Sequence, residues 1–294
     1  MPSGNNPRPR VACEVSAERV VAARAGDGAQ SLEAVNAQNL AAGTVTPGLQ
    51  HANVAARDAL VTALRDSLAP VAGRSRDITL VIPDATTRIL LLDFDALPNK
   101  AEEADSVLRF RLKKSLPFDV DTSAVSFDRQ IAANGIRVVA AVTPKSVLEE
   151  YEAVAQDAGY NPGAVLPSMI AALGVVDGSR PTMVIKVETG TTTFAIVDQN
   201  QLLLYRSLEN GETAVTGESL VDDVNTSLVY FEDRYGISVE WVLVTGVQSA
   251  QALQTAFSSS NIRVEDLVTS TVAGAGVGNV SRSALAGVVG ALMA

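Results

Sequence analysis

A hydroxyl-rich run, Thr189-Gly190-Thr191-Thr192-Thr193, sits inside an apolar, β-branched stretch that extends from 184 to 205. Backbone N–H groups beside a glycine, together with threonine hydroxyls, supply donors without bulk, so the chemistry open to this run is to cradle a phosphate. Threonine also suits a half-buried strand on packing grounds alone, and that reading stands beside the first. Two apolar runs flank the polar Asp198-Gln199-Asn200-Gln201, which predicts a β-hairpin.

The chain that must position this hairpin has 294 residues, 47% of them hydrophobic, enough for a substantial core in two domains or one divided domain. A net charge of −10 speaks against a nucleic-acid partner, which demands a concentrated basic surface. The single cysteine, Cys13, excludes an internal disulfide and a cysteine-rich metal site. The single histidine, His51, lies in a polar loop with no partner nearby, which leaves no zinc or triad chemistry to expect. Residues 1–9 are expected to be a disordered terminus, because Arg8 and Arg10 precede no apolar run of the secretory type. The apolar tail 284–294 is eleven residues long, short of the roughly 20 needed to span a bilayer, and reads as a buried helix. A cytoplasmic protein with no membrane span is expected.

The remaining elements follow from periodicity and punctuation. A hairpin is predicted over 11–25 around Ser16-Ala17-Glu18, then a helix capped by Asn53 with Leu60, Leu64 and Leu68 on one face, closed by Pro70 and Gly73. The runs 77–83 and 88–94 read as a second hairpin joined by Asp84-Ala85-Thr86-Thr87. A helix over 101–116 carries an apolar stripe of Ala104, Val107, Leu108, Leu112 and Leu116. Its Arg109, Arg111, Lys113 and Lys114 form the most basic stretch of an acidic chain. Asn134-Gly135 marks a hairpin between 124–132 and 137–143, and a helix follows over 145–158. Residues 77–160 thus read as one compact module of hairpin, helix, hairpin, helix. Beyond the central hairpin, a helix over 217–235, a buried strand over 239–245, a helix over 249–257 and an edge strand over 263–267 are predicted. The glycines of 274–278 precede the tail helix.

Two hairpins with turns where phosphate could sit, and a strand ending in Thr245-Gly246 before a helix, form the arrangement of the actin, sugar kinase and Hsp70 ATPase superfamily. Two pieces sharpen the likeness: a helix closing in Leu116-Pro117-Phe118-Asp119, and Thr143-Pro144-Lys145 leading a helix that ends in Ala158-Gly159. The chain from about 10 to 294 resembles the type IV pilus assembly protein PilM family and its cell-division relative FtsA. The resemblance implies an α/β, actin-like (ribonuclease H-like) two-lobed fold. It places the first lobe, 1A, at 10–76, 161–179 and 272–294, an inserted 1C subdomain at 77–160, and the second lobe, 2A, at 180–271. Between the central hairpin and the strand at 239 there is room for little more than one helix, so subdomain 2B is expected to be reduced or absent.

The resemblance also implies a nucleotide site, and here the sequence departs from the family pattern. Relatives that bind ATP carry Asp-x-Gly in each phosphate hairpin, whereas the matching positions are Glu14 and Ser16 in the first hairpin and Lys186 and Glu188 in the second. The glycines matter because any Cβ holds phosphate away from the backbone N–H groups. A carboxylate such as Glu188 about 4 Å from a phosphate oxygen would cost on the order of 4 kcal/mol at an effective dielectric of 20. That is roughly three powers of ten in affinity. Lys186 and Glu188, two apart on one strand, share a face and are expected to neutralise each other. Thr245-Gly246 is followed by Val247 where relatives usually have a second glycine. The degenerate site, made of Glu14, Ser16, Lys186, Glu188, Gly190, Thr191, Thr192 and Gly246, is therefore expected to hold ATP and Mg²⁺ weakly or not at all. No enzyme activity and no cofactor are expected.

By resemblance, the function is that of a cytoplasmic scaffold in the inner-membrane platform of a type IV pilus, together with other platform proteins. It would be recruited by the cytoplasmic tail of a PilN-like membrane protein, which docks between 1A and 1C, with the basic face Arg109, Arg111, Lys113 and Lys114 as candidate surface. Three alternatives remain: an active ATPase using Glu14 to orient Mg²⁺ and water with Thr191 to Thr193 on the phosphates, the cytoplasmic lobe of a GspL-like type II secretion platform, and a filament former like FtsA.

Overall fold

The computed structural model describes residues 9–28, 31–49, 52–132, 135–210, 217–246, 250–258, 261–274 and 280–293. Of the features expected above, His51, Asn134, Val247, Gly276, Gly278 and residues 1–8 lie outside the described residues.

The first lobe opens with an antiparallel meander, β1 (Val11–Val15), β2 (Arg19–Ala25) and β3 (Leu32–Asn39), followed by α1 (Arg57–Ala72) and β4 (Asp77–Ile82), which runs parallel to β1. The chain then leaves this sheet for β5 (Arg88–Phe94), α2 (Ala101–Leu112), β6 (Ser123–Ala132) and β7 (Gly135–Pro144). It returns through α3 (Lys145–Asp157), β8 (Asn161–Pro167), parallel to β4, and α4 (Ser168–Ala172). The second lobe repeats the scheme with β9 (Thr182–Glu188), β10 (Thr191–Asp198), β11 (Gln201–Glu209), α5 (Glu218–Tyr235), β12 (Trp241–Thr245), α6 (Ala250–Ala256), β13 (Arg263–Asp266) and α7 (Ser270–Ala273). The last helix, α8 (Ala286–Met293), packs back onto β1, β2 and α4 of the first lobe.

The two sheets have the same order, β3-β2-β1-β4-β8 and β11-β10-β9-β12-β13, with three antiparallel strands continued by two parallel ones. This duplication is the actin-like, two-lobed architecture. Period-two alternation decides which side chains meet between the lobes. In β1, Val11, Cys13 and Val15 join Leu60, Leu64 and Leu68 of α1 in an outer core, while Ala12 faces the other lobe. In β9, Met183, Ile185 and Val187 join Leu220, Val224 and Phe231 of α5 in the opposite outer core, while Val184 faces inward. The interlobe core closes around α8, whose Val288 and Val289 are fully buried.

Several expectations change. The runs at 77 and 88 are not a hairpin: β4 belongs to the first sheet and β5 to a separate three-stranded sheet ordered β5-β7-β6. A short 3-10 turn at Asp84–Thr86 swings the chain from one sheet to the other. Helix α3 likewise belongs to the first lobe, where Tyr151, Val154 and Ala155 enter the core formed by α1. The inserted sheet and its covering helix α2 therefore lie within 88–144, not 77–160.

The stretch from 184 to 205 is spread over three strands, with one turn at Thr189-Gly190 and the expected one at Gln199-Asn200, where both residues have positive φ. Asn53 does not cap α1. It is buried, its side-chain oxygen accepts from the Gly48 N–H at 2.7 Å, and the helix starts after Ala56. Pro70 lies in the last turn of α1, and Gly73 follows the helix. Strand β11 ends at Glu209 and helix α5 begins at Glu218.

Candidate functional site: the cleft between the lobes

The β1–β2 and β9–β10 hairpins face each other across the lobes, and the cleft between them is also lined by Pro83 and Ala85 of the turn after β4 and by the start of α8. Glu14 reaches it from β1, and Lys186 and Glu188 from β9. Lys186 and Glu188 form a direct ion pair. Lys186 Nζ also lies 3.7 Å from Glu14 Oε1, with both side chains under a tenth exposed. The Ser168 hydroxyl, at the start of α4, donates to Glu14. Gly287 of α8 backs the same carboxylate so closely that a Cβ there would sit 2.4 Å from Glu14 Oε2. Glu14 is thus held by a helix terminus and a small residue, and Lys186 and Glu188 by their ion pairs.

Asp84, which sequence reasoning placed in a hairpin turn, is part of this cluster. It is buried just beyond β4, and its Oδ1 accepts from the Met169 N–H at 2.7 Å. Its Oδ2 has no hydrogen-bond partner among the described residues. A signal for it was present: a carboxylate follows directly on the carboxyl end of a parallel strand, where open α/β sheets place ligands. Burial, reinforced by the Glu188 carboxylate, pushes Asp84 up to about 7. Burial likewise raises Glu14, against the opposing pull of Lys186. Burial by itself would lower Lys186, but the carboxylates of Glu188, Glu14 and Asp84 outweigh it and hold the ammonium above its usual range.

The other expected site residues divide. Thr191 lines the cleft, but Thr192 points to the opposite face of β10, where its hydroxyl is hydrogen-bonded to the Asn210 carboxamide at 2.5 Å. Alternation along the strand forces this split. Gly190 makes the tight turn with φ +82, and its carbonyl accepts from the Asn210 N–H at 2.9 Å. Ser16 is used by its own turn: its hydroxyl donates to the Arg19 carbonyl at 3.1 Å and accepts from the Arg19 N–H at 3.2 Å. Gly246 lines the cleft with φ +81, and a Cβ there would fall 1.9 Å from the Val187 carbonyl oxygen, so close strand packing already demands the glycine. At the rim, Thr189 donates to Glu18, joining the tips of the two hairpins. Sequence reasoning missed both Glu18 and Ser168, because their partners are more than 150 residues away.

Three carboxylates surround the base of the cleft, its buried ammonium is engaged by them, and in the first turn the Ser16 and Arg19 N–H groups bond within their own hairpin.

The basic helix face is smaller than its sequence suggests. Arg109 is paired with Asp105 at 2.7 Å and donates to the Val120 carbonyl at 2.7 Å, so it fastens α2 to the loop that follows it. Lys113 is paired with Asp121 at 2.6 Å. Arg111 and Lys114 are exposed, the latter 5.2 Å from the centre of the Phe110 ring. Val107 does not join the apolar stripe; it and Phe110 are 40% and 67% exposed.

Comparison with protein-family descriptions finds no match, and comparison with curated proteins finds none. Among solved structures, the chain is similar to the PilM-PilN type IV pilus biogenesis complex, with a TM-score of 0.77 at 14% identity, over 97% of this chain and 96% of that one. It is also similar to the cytoplasmic domain of EpsL, an inner-membrane component of the type II secretion system of Vibrio cholerae, with a TM-score of 0.52 at 8% identity over 80% of each chain. These likenesses show the fold: actin-like and two-lobed, as the duplicated sheet order indicates.

Proposed function

We propose that the protein is an actin-like scaffold of a type IV pilus assembly platform at the inner membrane, and that it binds the cytoplasmic tail of a PilN-like membrane protein without using nucleotide. The observation that carries this reading is the likeness to the PilM-PilN complex, which runs over nearly the whole of both chains. The unit 88–144 takes the place of subdomain 1C, the two five-stranded sheets those of 1A and 2A, and the partner tail docks in the groove between the first lobe and the insert. Among the described residues no helix is long and apolar enough to cross a membrane, so attachment through a partner is the route this reading assigns.

On α2 and the turn that follows it, the partner surface is narrowed to Arg111 and Lys114, with Phe110 and Val107 beside them, because Arg109 and Lys113 are held within the insert. The nucleotide site is read as degenerate, with no enzymatic role. The likeness to EpsL favours a second reading, the corresponding lobe of a type II secretion platform. The test is titration of a labelled tail peptide from a candidate PilN-like protein into the full chain, followed by fluorescence anisotropy. Saturable binding that competes with unlabelled peptide supports the pilus reading. Binding only to the tail of a secretion-platform protein favours the second, and binding to neither overturns both.

A further inference from the structure

The base of the cleft joins elements that are remote in sequence. Glu14 comes from β1, Asp84 from the end of β4, Lys186 and Glu188 from β9, Ser168 from α4 and Tyr205 from β11, whose hydroxyl lies 3.5 Å from Asp84. Two further links cross between the lobes: Thr189 to Glu18 at the rim, and the Thr245 hydroxyl to the Ser283 carbonyl at 2.8 Å. Two-lobed proteins commonly close around a ligand that contacts both sides of the cleft. Here a group on the chain itself makes that contact.

We propose that Lys186 acts as a tethered ligand of its own cleft, its ammonium bridging Glu14 of the first lobe and Glu188 of the second so that the lobes stay closed without nucleotide. A covalently attached bridge loses no translational freedom on binding, in the way that linked binding modules gain effective concentration. At a site this buried, charges a few ångströms apart interact far more strongly than in water. Ser168 and the close approach of Gly287 leave Glu14 little freedom to turn away. The lobes then form one rigid body whose angle does not depend on a nucleotide cycle. This concerns the angle between the lobes alone, so its failure would leave tail binding untouched, and the converse.

The test measures the interlobe distance in the full chain by double electron–electron resonance. Spin labels are placed at Asp58→Cys on α1 and Thr226→Cys on α5, both exposed, while the native Cys13 is fully buried. The expected result is one narrow distance distribution that millimolar Mg-ATP leaves unchanged, and a longer, broader one in Lys186→Met. A triple variant, Glu14→Gln, Lys186→Met and Glu188→Gln, removes the charges together and is expected to recover the narrow distribution. A wild-type distribution that shifts with Mg-ATP would overturn the proposal, as would a Lys186→Met distribution that superimposes on wild type. A triple variant that stays open would assign closure to the lysine stem and overturn the ionic account.

Discussion

Lys186 and Glu14 are 172 positions apart and on different sheets, yet the ammonium of one lies 3.7 Å from the carboxylate of the other at the base of a cleft that the fold would otherwise offer to a ligand. The stability and pH response of the protein follow from this contact and its neighbours.

Removing the lysine alone leaves buried carboxylates without a counter-charge. Breaking a buried pair in this way typically costs about 3–5 kcal/mol, whereas replacing the whole set with neutral groups is often close to neutral. Lys186→Met is expected to lose stability in that range in urea unfolding, and the triple variant with Glu14→Gln and Glu188→Gln to regain most of it.

Asp84 titrates at about 7 in the folded protein against an ordinary 3.8, so the folded state holds a proton that the unfolded chain releases. The corresponding stability is complete below about 3.8 and is lost as pH rises through about 7. Glu14, also raised, acts in the same direction. Unfolding measured from pH 5 to pH 8 is expected to show stability falling from this source by an amount on the order of a few kcal/mol. Asp84→Asn, which can still accept from Met169, is expected to flatten that slope.

Gly246 separates packing from ligand binding. Alanine at a positive φ costs upwards of about 1 kcal/mol, and here its Cβ would also collide with the Val187 carbonyl, 1.9 Å away. Gly246→Ala is expected to lower the thermal midpoint whether or not any nucleotide is present. A loss confined to nucleotide-containing samples would return the glycine to a phosphate role.

The four basic residues of α2 and the turn after it are expected to separate under mutation. Arg109→Ala removes charge-assisted bonds to Asp105 and the Val120 carbonyl and should cost about 2 kcal/mol of stability. Arg111→Glu with Lys114→Glu should leave the unfolding midpoint within about 0.5 kcal/mol of wild type, as exposed surface changes usually do. Tail binding in that variant should weaken and lose part of its salt dependence.

Much of this was readable from residues alone, and the gaps have physical causes. The pairing of Lys186 with Glu188 followed from strand alternation, a local rule. Its extension to Glu14 did not, because nothing local reports which strand of another sheet lies opposite. Asp84 was hidden by a misassigned partner: the apolar runs 77–82 and 88–94 look alike, and periodicity does not say whether two strands share a sheet. Strand β3 went unread because Asn36, Gln38 and Asn39 dilute its apolar alternation at a sheet edge, and β8 because Pro162-Gly163 resembles a turn. Val107 on α2 shows the same limit from the other side, since helical spacing alone could not tell a buried position from an exposed one.

The account rests on a cleft whose base holds its own ammonium, paired with Glu14 and Glu188, and calorimetric titration of the full chain with Mg-ATP tests that most directly. The expected result is no binding heat beyond dilution up to millimolar nucleotide. A saturable isotherm with a micromolar dissociation constant would contradict it.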